Sequence, residues 1–475
     1  MSAIPGSIDA DRGPPMTIPL RHFLVGTGLL LAGALAGAVQ SFDGTLVPGN
    51  LGLVHVHLLL VGWVAVTIMG AMTQFVPVWS GVAIHSRQLA IAQLWLVVAG
   101  LLAFAAALLL GAYRWLPLGG VVMLAGFWTF VYNVGRTLRS ARPWDVTERH
   151  FAIALGFFVL LTGLGVVLAA GLTRPILADT PVNHGSVRMS HATLALYGAV
   201  LTTVYGALYQ LATMFTQSSL HGIDLPLRRL ESVGHPVGVL ALAGGRLFDV
   251  APLARIGAIL VVASALGMSV ILARRLLEAQ VPWTPMLSRY AVLAVAMGGW
   301  AIWTALAWFR DPLDPATLFG APGAFSLLIL GVVGFVVLGT LSHVVPFIVW
   351  VHRYSDRLGL EPVPMIDDLY DDRVARVDFV CFVVGVGLLV ASDAFELSGA
   401  SGALGTVSTV GGLSVTVGAA LFLLNVILIL RRHSPHSVPG LLFGRFSSDE
   451  PGSEPPPSQP RSQVEPQSGV DSPPR

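Results

Sequence analysis

Residues 52–77 read GLVHVHLLLVGWVAVTIMGAMTQFVP, an almost wholly apolar run that carries two histidines near its start. The run is long enough to cross a membrane as a helix, which takes about 20 residues. Successive helical residues are rotated by about 100°, so the side chains of His55 and His57 diverge by about 200°. The two histidines therefore cannot bind one metal ion together, but each can serve a different partner on its own side of the helix.

The composition indicates a polytopic membrane protein. Of the 475 residues, 54% are hydrophobic and only 11% are charged, whereas a soluble domain carries about 25% charged residues. The single cysteine, Cys381, excludes an internal disulfide, a C-x-x-C-H haem attachment and a cysteine-ligated iron–sulfur cluster. A cofactor must therefore be held by histidine, by carboxylate or by the shape of its pocket. The basic residues are all arginine, which favours a GC-rich prokaryotic source and hence a prokaryotic cell membrane.

We predict an all-α polytopic membrane protein with twelve transmembrane helices. The predicted spans are 21–41, 51–79, 88–112, 115–137, 150–172, 189–216, 235–251, 253–277, 287–309, 322–350, 377–396 and 403–430. Arginines are concentrated before the first span and after the even-numbered ones, which places both termini in the cytoplasm by the positive-inside rule. Residues 1–20 then form a cytoplasmic segment and 21–433 the membrane domain. Residues 434–475, rich in proline, serine and glutamate, are predicted to be a disordered cytoplasmic tail.

The second, sixth and tenth spans resemble one another, which predicts a pseudo-threefold repeat of four helices. Adding 136 to the residue number aligns the second span with the sixth, and adding 269 aligns it with the tenth. The first alignment pairs His55 with His191, Gly62 with Gly198, Gly70 with Gly206 and Gln74 with Gln210; the second pairs Gly62, Gly70, Gln74 and Pro77 with Gly331, Gly339, His343 and Pro346. Small residues at this spacing allow close helix contact.

Two interpretations of His55 and His57 stay open. In one, both lie at the outer interface and are hydrated or bonded to a carbonyl. In the other, each is an axial ligand of a separate haem. Ionisable groups within spans are usually functional, and an unpartnered buried imidazole costs roughly 2–7 kcal/mol, so we favour the ligand interpretation.

The order HVH, then GWV from Gly62, then Gly70 and Pro77 resembles the haem-ligand helix of heme–copper oxidase subunit I. The similarity is strongest to the C-family cytochrome oxidases and nitric oxide reductases. It implies twelve helices in three pseudosymmetric groups, with His55 on an active-site haem and His57 on a low-spin haem. In that family this motif lies on the tenth helix, whereas here it lies on the second.

The resemblance implies one or two haems, b-type in kind, and electron transfer to oxygen or nitric oxide. It also implies a quinol or cytochrome electron donor and a second oxidase subunit, with membrane lipid around the helices and no nucleic-acid partner. The competing hypothesis is a non-catalytic haem-binding or sensory membrane protein, or a transporter on the same scaffold.

His191 opens the sixth span and is predicted to complete a bis-histidine haem with either histidine of the second span, or to act alone. The competing interpretation places it in headgroup water. Arg188 and Arg246 are expected to bind haem propionates, because arginine forms charge-assisted hydrogen bonds with carboxylates; Asp249 is the competing partner of Arg246. His184 is a spare ligand.

His343 is predicted to lie apart from these residues. Its repeat equivalent, Gln74, is nineteen residues beyond His55, which is about 28 Å along a helix. His343 is therefore either a structural or a proton-path histidine on the inner side.

Copper is in doubt for this chain. The resemblance implies a copper ion held by two imidazoles of the seventh helix and one of the sixth. The seventh span offers only His235, at its inner end, so most of the membrane thickness is expected to separate His235 from His191. We therefore predict no copper site of this kind, and solvated positions for five histidines: His85, His150, His221, His235 and His352.

Overall fold

The computed structural model describes residues 14–43, 45–396 and 404–444. These ranges contain thirteen helices and no strand. In chain order they are α1 (Thr17–Asp43), α2 (Leu51–Ser80), α3 (Arg87–Leu109), α4 (Leu116–Ser140), α5 (Val146–Gly171), α6 (His184–Thr216), α7 (Asp224–Leu247), α8 (Ala251–Leu277), α9 (Pro285–Arg310), α10 (Leu327–Arg353), α11 (Asp372–Glu396), α12 (Leu404–His433) and α13 (Val438–Phe443).

Eleven of the helices in the described part of the chain are long and apolar enough to cross a membrane, namely α1 to α6 and α8 to α12. The chain is thus a multi-pass membrane protein. Helix α7 has a similar length, 24 residues, but its first half is rich in charge. It nevertheless packs closely against α8. A Cβ atom on Gly257 of α8 would lie 2.2 Å from the backbone nitrogen of Leu242 on α7, so this contact requires glycine.

Helices α2, α6 and α10 are the most buried of the spans. Around them lie three arcs of mutually packed helices, which are α3–α4–α5, α7–α8–α9 and α11–α12–α1. Each central helix packs against the one that precedes it in the chain, so α1 contacts α2, α5 contacts α6 and α9 contacts α10. Glycines permit these contacts: a Cβ atom on Gly62 would lie 3.0 Å from the Cβ of Leu29, and one on Gly198 would lie 2.9 Å from the ring of Phe157.

Each central helix contains a π-helical segment of eight residues. These segments are Leu58–Ala65 in α2, Leu194–Leu201 in α6 and Leu327–Gly334 in α10. Their first residues differ in number by 136 and 269, the same offsets that align the three sequences. Because π-helical turns are rare and frequently occur at functional sites, the segments draw attention to the residues just before them, which include His57 and His191.

Two boundaries differ most from the sequence-based prediction. Helix α7 begins at Asp224, eleven residues before the predicted start at 235, because its charged side chains have partners inside the bundle. Residues 434–444, assigned from composition to a disordered tail, include the short helix α13, in which Leu441 is fully buried. The Nε of Arg21 donates to the carbonyl of Leu441 over 2.5 Å. Residues 1–13 of the predicted N-terminal segment and 445–475 of the tail lie outside the described residues.

Candidate functional site

A cavity of about 440 Å³ lies between α2 and α6 and is closed by α3, α4 and α5. This volume is within the range of about 300–1,000 Å³ that is typical of small-molecule and cofactor sites. The lining is mostly apolar, with side chains such as Phe104, Phe127 and Phe158. Polar groups are few, and the most notable are the imidazoles of His57 and His191.

His57 is positioned by the start of its own helix. Asn50 caps α2 and accepts a hydrogen bond from the backbone nitrogen of Leu53 over 3.1 Å. The Nδ1 of His57 lies 2.8 Å from the carbonyl of Leu53, so Nδ1 carries the proton and Nε2 has a free lone pair. The ring rests on Phe104 at a centroid distance of 4.9 Å. Within the described residues Nε2 has no hydrogen-bond partner, which leaves it available as a ligand.

His191 is anchored in the same way, but to a neighbouring helix. Asn183 caps α6 through a capping box with Ser186. The Nδ1 of His191 lies 2.8 Å from the carbonyl of Leu161 on α5. A Cβ atom on Gly165 would lie 3.1 Å from the Cε1 of His191, so the glycine makes room for the ring.

The two imidazoles line the same cavity. In metal-binding histidines, one ring nitrogen is typically fixed by a hydrogen bond to a carbonyl, carboxylate or water while the other binds the metal. His57 and His191 both have this arrangement. The apolar cavity therefore offers two imidazole Nε2 atoms that are available as metal ligands.

The lining also includes Arg188 and His184 on the first turns of α6. Both side chains are exposed, and neither has a hydrogen bond or an ion pair among the residues that the structure describes. Arg188 is thus a cation on the cavity wall that can receive a carboxylate from a bound molecule.

Arg246 has a different position from the one that its predicted role requires. It is buried behind the cavity wall, where its Nε donates to the carbonyl of Pro312 over 3.0 Å and its Nη2 to that of Thr317 over 3.0 Å. Its Nη1 donates to the hydroxyl of Thr193 over 2.8 Å and to the carbonyl of Leu318 over 3.2 Å. In the described part of the chain it forms no ion pair, with Asp249 or with any other carboxylate.

Arg246 instead holds the loop between α9 and α10, which contributes Leu318 and Phe319 to the cavity wall. Two indoles fix the same loop: Trp308 donates to the carbonyl of Thr317 over 2.7 Å, and Trp300 donates to that of Phe319 over 3.0 Å. The arginine therefore shapes the cavity from behind. This role was not visible in the sequence, because it depends on the path of a loop more than 60 residues away.

His55 is not among the residues that line this cavity. Its Nδ1 lies 2.7 Å from the carbonyl of Gly33 on α1, and a Cβ atom on Gly37 would lie 2.5 Å from its Cε1. The structure therefore brings together His57 and His191 and leaves His55 on the opposite side of α2, facing α1.

His343 lies away from the cavity. Its ring packs edge-on against Phe215 at a centroid distance of 4.8 Å and lies beside Phe347. It lines a much smaller cavity that also contains Arg289, Asp367 and Asp378.

The predicted solvation of His150 and His235 is wrong, because both are buried within the bundle. The Nε2 of His235 lies 2.9 Å from the carbonyl of Tyr197. Tyr197 is six residues after His191, which is about 9 Å along the axis of α6. His235 therefore lies at a depth close to that of His191. The predicted separation by most of the membrane thickness is therefore also wrong. Among the described residues, no group of three or more histidine, cysteine or acidic side chains is placed to hold a metal ion.

No protein-family description matches the chain, and no curated protein sequence is significantly similar to it.

Proposed function

We propose that this chain is a haem-binding membrane protein that holds one b-type haem between His57 and His191. The observation that carries the proposal is the cavity of about 440 Å³, into which both imidazoles face with Nδ1 bonded to a backbone carbonyl and Nε2 free. His57 and His191 would hold the haem iron, and the apolar side chains of the cavity would pack against the porphyrin. Arg188 would receive a propionate.

We further propose that the chain has twelve spans, with α7 as the seventh, arranged as three repeats of four helices. The three π-helical segments support this, because they are offset by the same 136 and 269 residues as the three aligned sequences. The three arcs of helices around α2, α6 and α10 support it as well. This architecture and the HVH motif are the grounds for relating the chain to heme–copper oxidase subunit I. The distribution of arginines supports cytoplasmic termini, and the use of arginine as the basic residue throughout supports a prokaryotic membrane.

Held by two histidines, the haem would supply one-electron transfer. The protein contributes the orientation of the ligands, through the Leu53 and Leu161 carbonyls, and the exclusion of water by the phenylalanine-lined wall. The electron donor would be a quinol or a cytochrome, and a second oxidase subunit is the expected protein partner.

The test is a pyridine haemochrome assay and an electron paramagnetic resonance spectrum of the purified full-length protein. We expect about one b-type haem per chain with a low-spin, bis-histidine signal. A folded protein without a Soret band, prepared from cells supplied with haem, would exclude the proposal and favour the transporter hypothesis.

Reduction of oxygen or nitric oxide is the second candidate function, and it depends on His55. The Nε2 of His55 has no hydrogen-bond partner in the ranges that the structure describes, so His55 is the residue that would hold a second haem. Turnover of oxygen or nitric oxide by the purified protein, lost on His55→Ala, would support this function. Haem without turnover would leave the protein as an electron carrier or a sensor.

A further inference from the structure

Three side chains from three helices form a buried cluster away from the cavity. The Nε2 of His150 on α5 lies 3.1 and 3.2 Å from the two carboxyl oxygens of Glu231 on α7. The hydroxyl of Tyr209 on α6 donates to Glu231 over 2.6 Å. His150 is 1% exposed and Glu231 is 0% exposed, so the carboxyl group has no access to water.

The hydrogen bonds of His150 determine how many protons the cluster holds. The Nδ1 of His150 lies 2.6 Å from the carbonyl of Val146, which only accepts, so Nδ1 must carry a proton. Nε2 faces a carboxyl group. If Nε2 and the carboxyl group of Glu231 were both deprotonated, the lone pair of Nε2 would face a carboxylate. An uncompensated negative charge would then be buried at high cost. One further proton therefore lies between Nε2 and Glu231.

Two other pairs in the molecule have the same construction but different chemistry. The Nδ1 of His22 on α1 lies 2.9 Å from the carbonyl of Ile18, four residues earlier, and its Nε2 lies 3.5 Å from the amide nitrogen of Gln93 on α3. On α9, Arg289 donates to the carbonyl of Pro285 over 3.0 Å, again four residues earlier, and to Asp378 on α11.

The three pairs occupy equivalent places in the fold. Each joins the first and third helices of one group of four. A Cβ atom on Gly70, Gly206 or Gly339 of the central helix would contact the Cβ of His22, His150 or Arg289 at 2.6, 2.5 and 3.2 Å, respectively. All six paired side chains are buried.

Only the middle pair joins a titratable base to a titratable acid, so only there can one proton lie between the two partners. The amide of Gln93 does not titrate, and the guanidinium of Arg289 stays protonated in proteins. We propose that His150, Glu231 and Tyr209 form a buried proton-binding site that exchanges the single proton held between the imidazole and the carboxyl group. The site is separate from the haem cavity.

The surroundings of Glu231 contain other titratable groups. Tyr205 and Tyr209 face it from α6, His150 from α5, and His235 from its own helix. Arg149, next to His150 in the chain, is exposed, and Arg228 lies near Tyr209. On α8, the uncharged hydroxyl of Ser264 lies near Gly234, three residues after Glu231. No buried cation other than His150 therefore neutralises Glu231 within the described residues.

The experiment is pH-difference infrared spectroscopy of the purified full-length protein, in water and in deuterated water. We expect a pH-dependent, deuterium-sensitive band of the Glu231–His150 pair that is lost in Glu231→Gln. That substitution copies the His22–Gln93 pair, so the fold already contains its packing. Tyr209→Phe should keep the band but shift its frequency, because the carboxyl group loses one hydrogen bond. Glu361→Gln, at an exposed carboxylate, is the matched control and should leave it unchanged.

The converse substitution gives an independent test. Gln93→Glu builds a second histidine–glutamate pair at the equivalent place and should add a second band. If wild type and Glu231→Gln give the same difference spectrum, the site does not exchange a proton and the proposal is wrong. Because the measurement needs no haem, it stands or fails separately from the function proposed above.

Discussion

His55 and His191 are anchored by nearly the same contacts, but their rings face different surroundings. Each bonds through Nδ1 to a carbonyl of the preceding outer helix, Gly33 or Leu161, and each ring lies over a glycine of that helix, Gly37 or Gly165. Yet His191 lines the large cavity and His55 does not. The support of a histidine therefore does not define a cofactor site. His191 differs in that it shares the lining of an apolar cavity with a second imidazole, that of His57.

The largest expected effect is at the two proposed ligands. His57→Ala and His191→Ala should each lower the haem content of the purified protein at least about tenfold, because even outer-shell partners of a ligand typically change affinity by about 10–100-fold. The measurement is haem per chain by pyridine haemochrome.

His352→Ala is the matched control for His57→Ala. The Nδ1 of His352 also bonds to the carbonyl four residues earlier, that of Ile348, at 2.9 Å, but His352 does not line the cavity. Haem content equal to wild type in the ligand variants would refute the assignment.

The next effect concerns the glycine beneath His191. Gly165→Val should reduce haem content several-fold, since a Cβ atom alone would lie 3.1 Å from the Cε1 of His191 and two further methyl groups must displace the ring. Gly163→Val, on the same helix, introduces the same side chain where no atom lies within 4 Å. If the two variants retain haem equally, the ring position of His191 is not critical.

Long apolar helices were the part of the fold that the sequence predicted well, because hydropathy over some 20 residues depends on local composition alone. The start of α7 was missed for the opposite reason. Its charges are satisfied by distant partners: Asp224 pairs with Arg274 and Arg275 on α8, and Glu231 pairs with His150. A prediction from local hydropathy assigns such charged residues to a loop.

The histidine pattern correctly separated His55 from His57 by helical geometry. It left open which of them faces His191, because that depends on the packing of α2 against α6. The burial of His150 and His235 was missed together with the start of α7, since α7 supplies Glu231 and carries His235. One misplaced helix start thus hid the whole buried cluster.

A smaller effect is expected at Arg246, which holds the cavity wall from behind. Arg246→Gln removes donors from the carbonyls of Pro312, Thr317 and Leu318. Thr317 keeps the indole of Trp308 as a donor, but the carbonyl of Pro312 loses its partner, and an unpaired buried group costs about 1–3 kcal/mol. We expect a lower thermal unfolding temperature and a roughly twofold to fivefold faster loss of haem to an external haem acceptor. Arg255→Gln, which removes one exposed hydrogen bond to the carbonyl of Arg310, is the control. If both variants unfold at the same temperature and lose haem at the same rate, the loop does not depend on Arg246.

The smallest expected effect on the b-type haem is that of His55→Ala. His55 and His57 are two residues apart, so any damage to α2 as a whole would affect both. The imidazole of His55, however, contacts α1 through Gly33 and Gly37, and its removal leaves the cap at Asn50 and the His57–Leu53 bond intact. We therefore expect the low-spin bis-histidine spectrum to be unchanged in position and amplitude. Any second, high-spin haem signal seen in the wild type should disappear. Loss of the low-spin signal in His55→Ala, with the protein still folded, would mean that His55 and not His57 is paired with His191, and would overturn the division of roles on which this comparison rests.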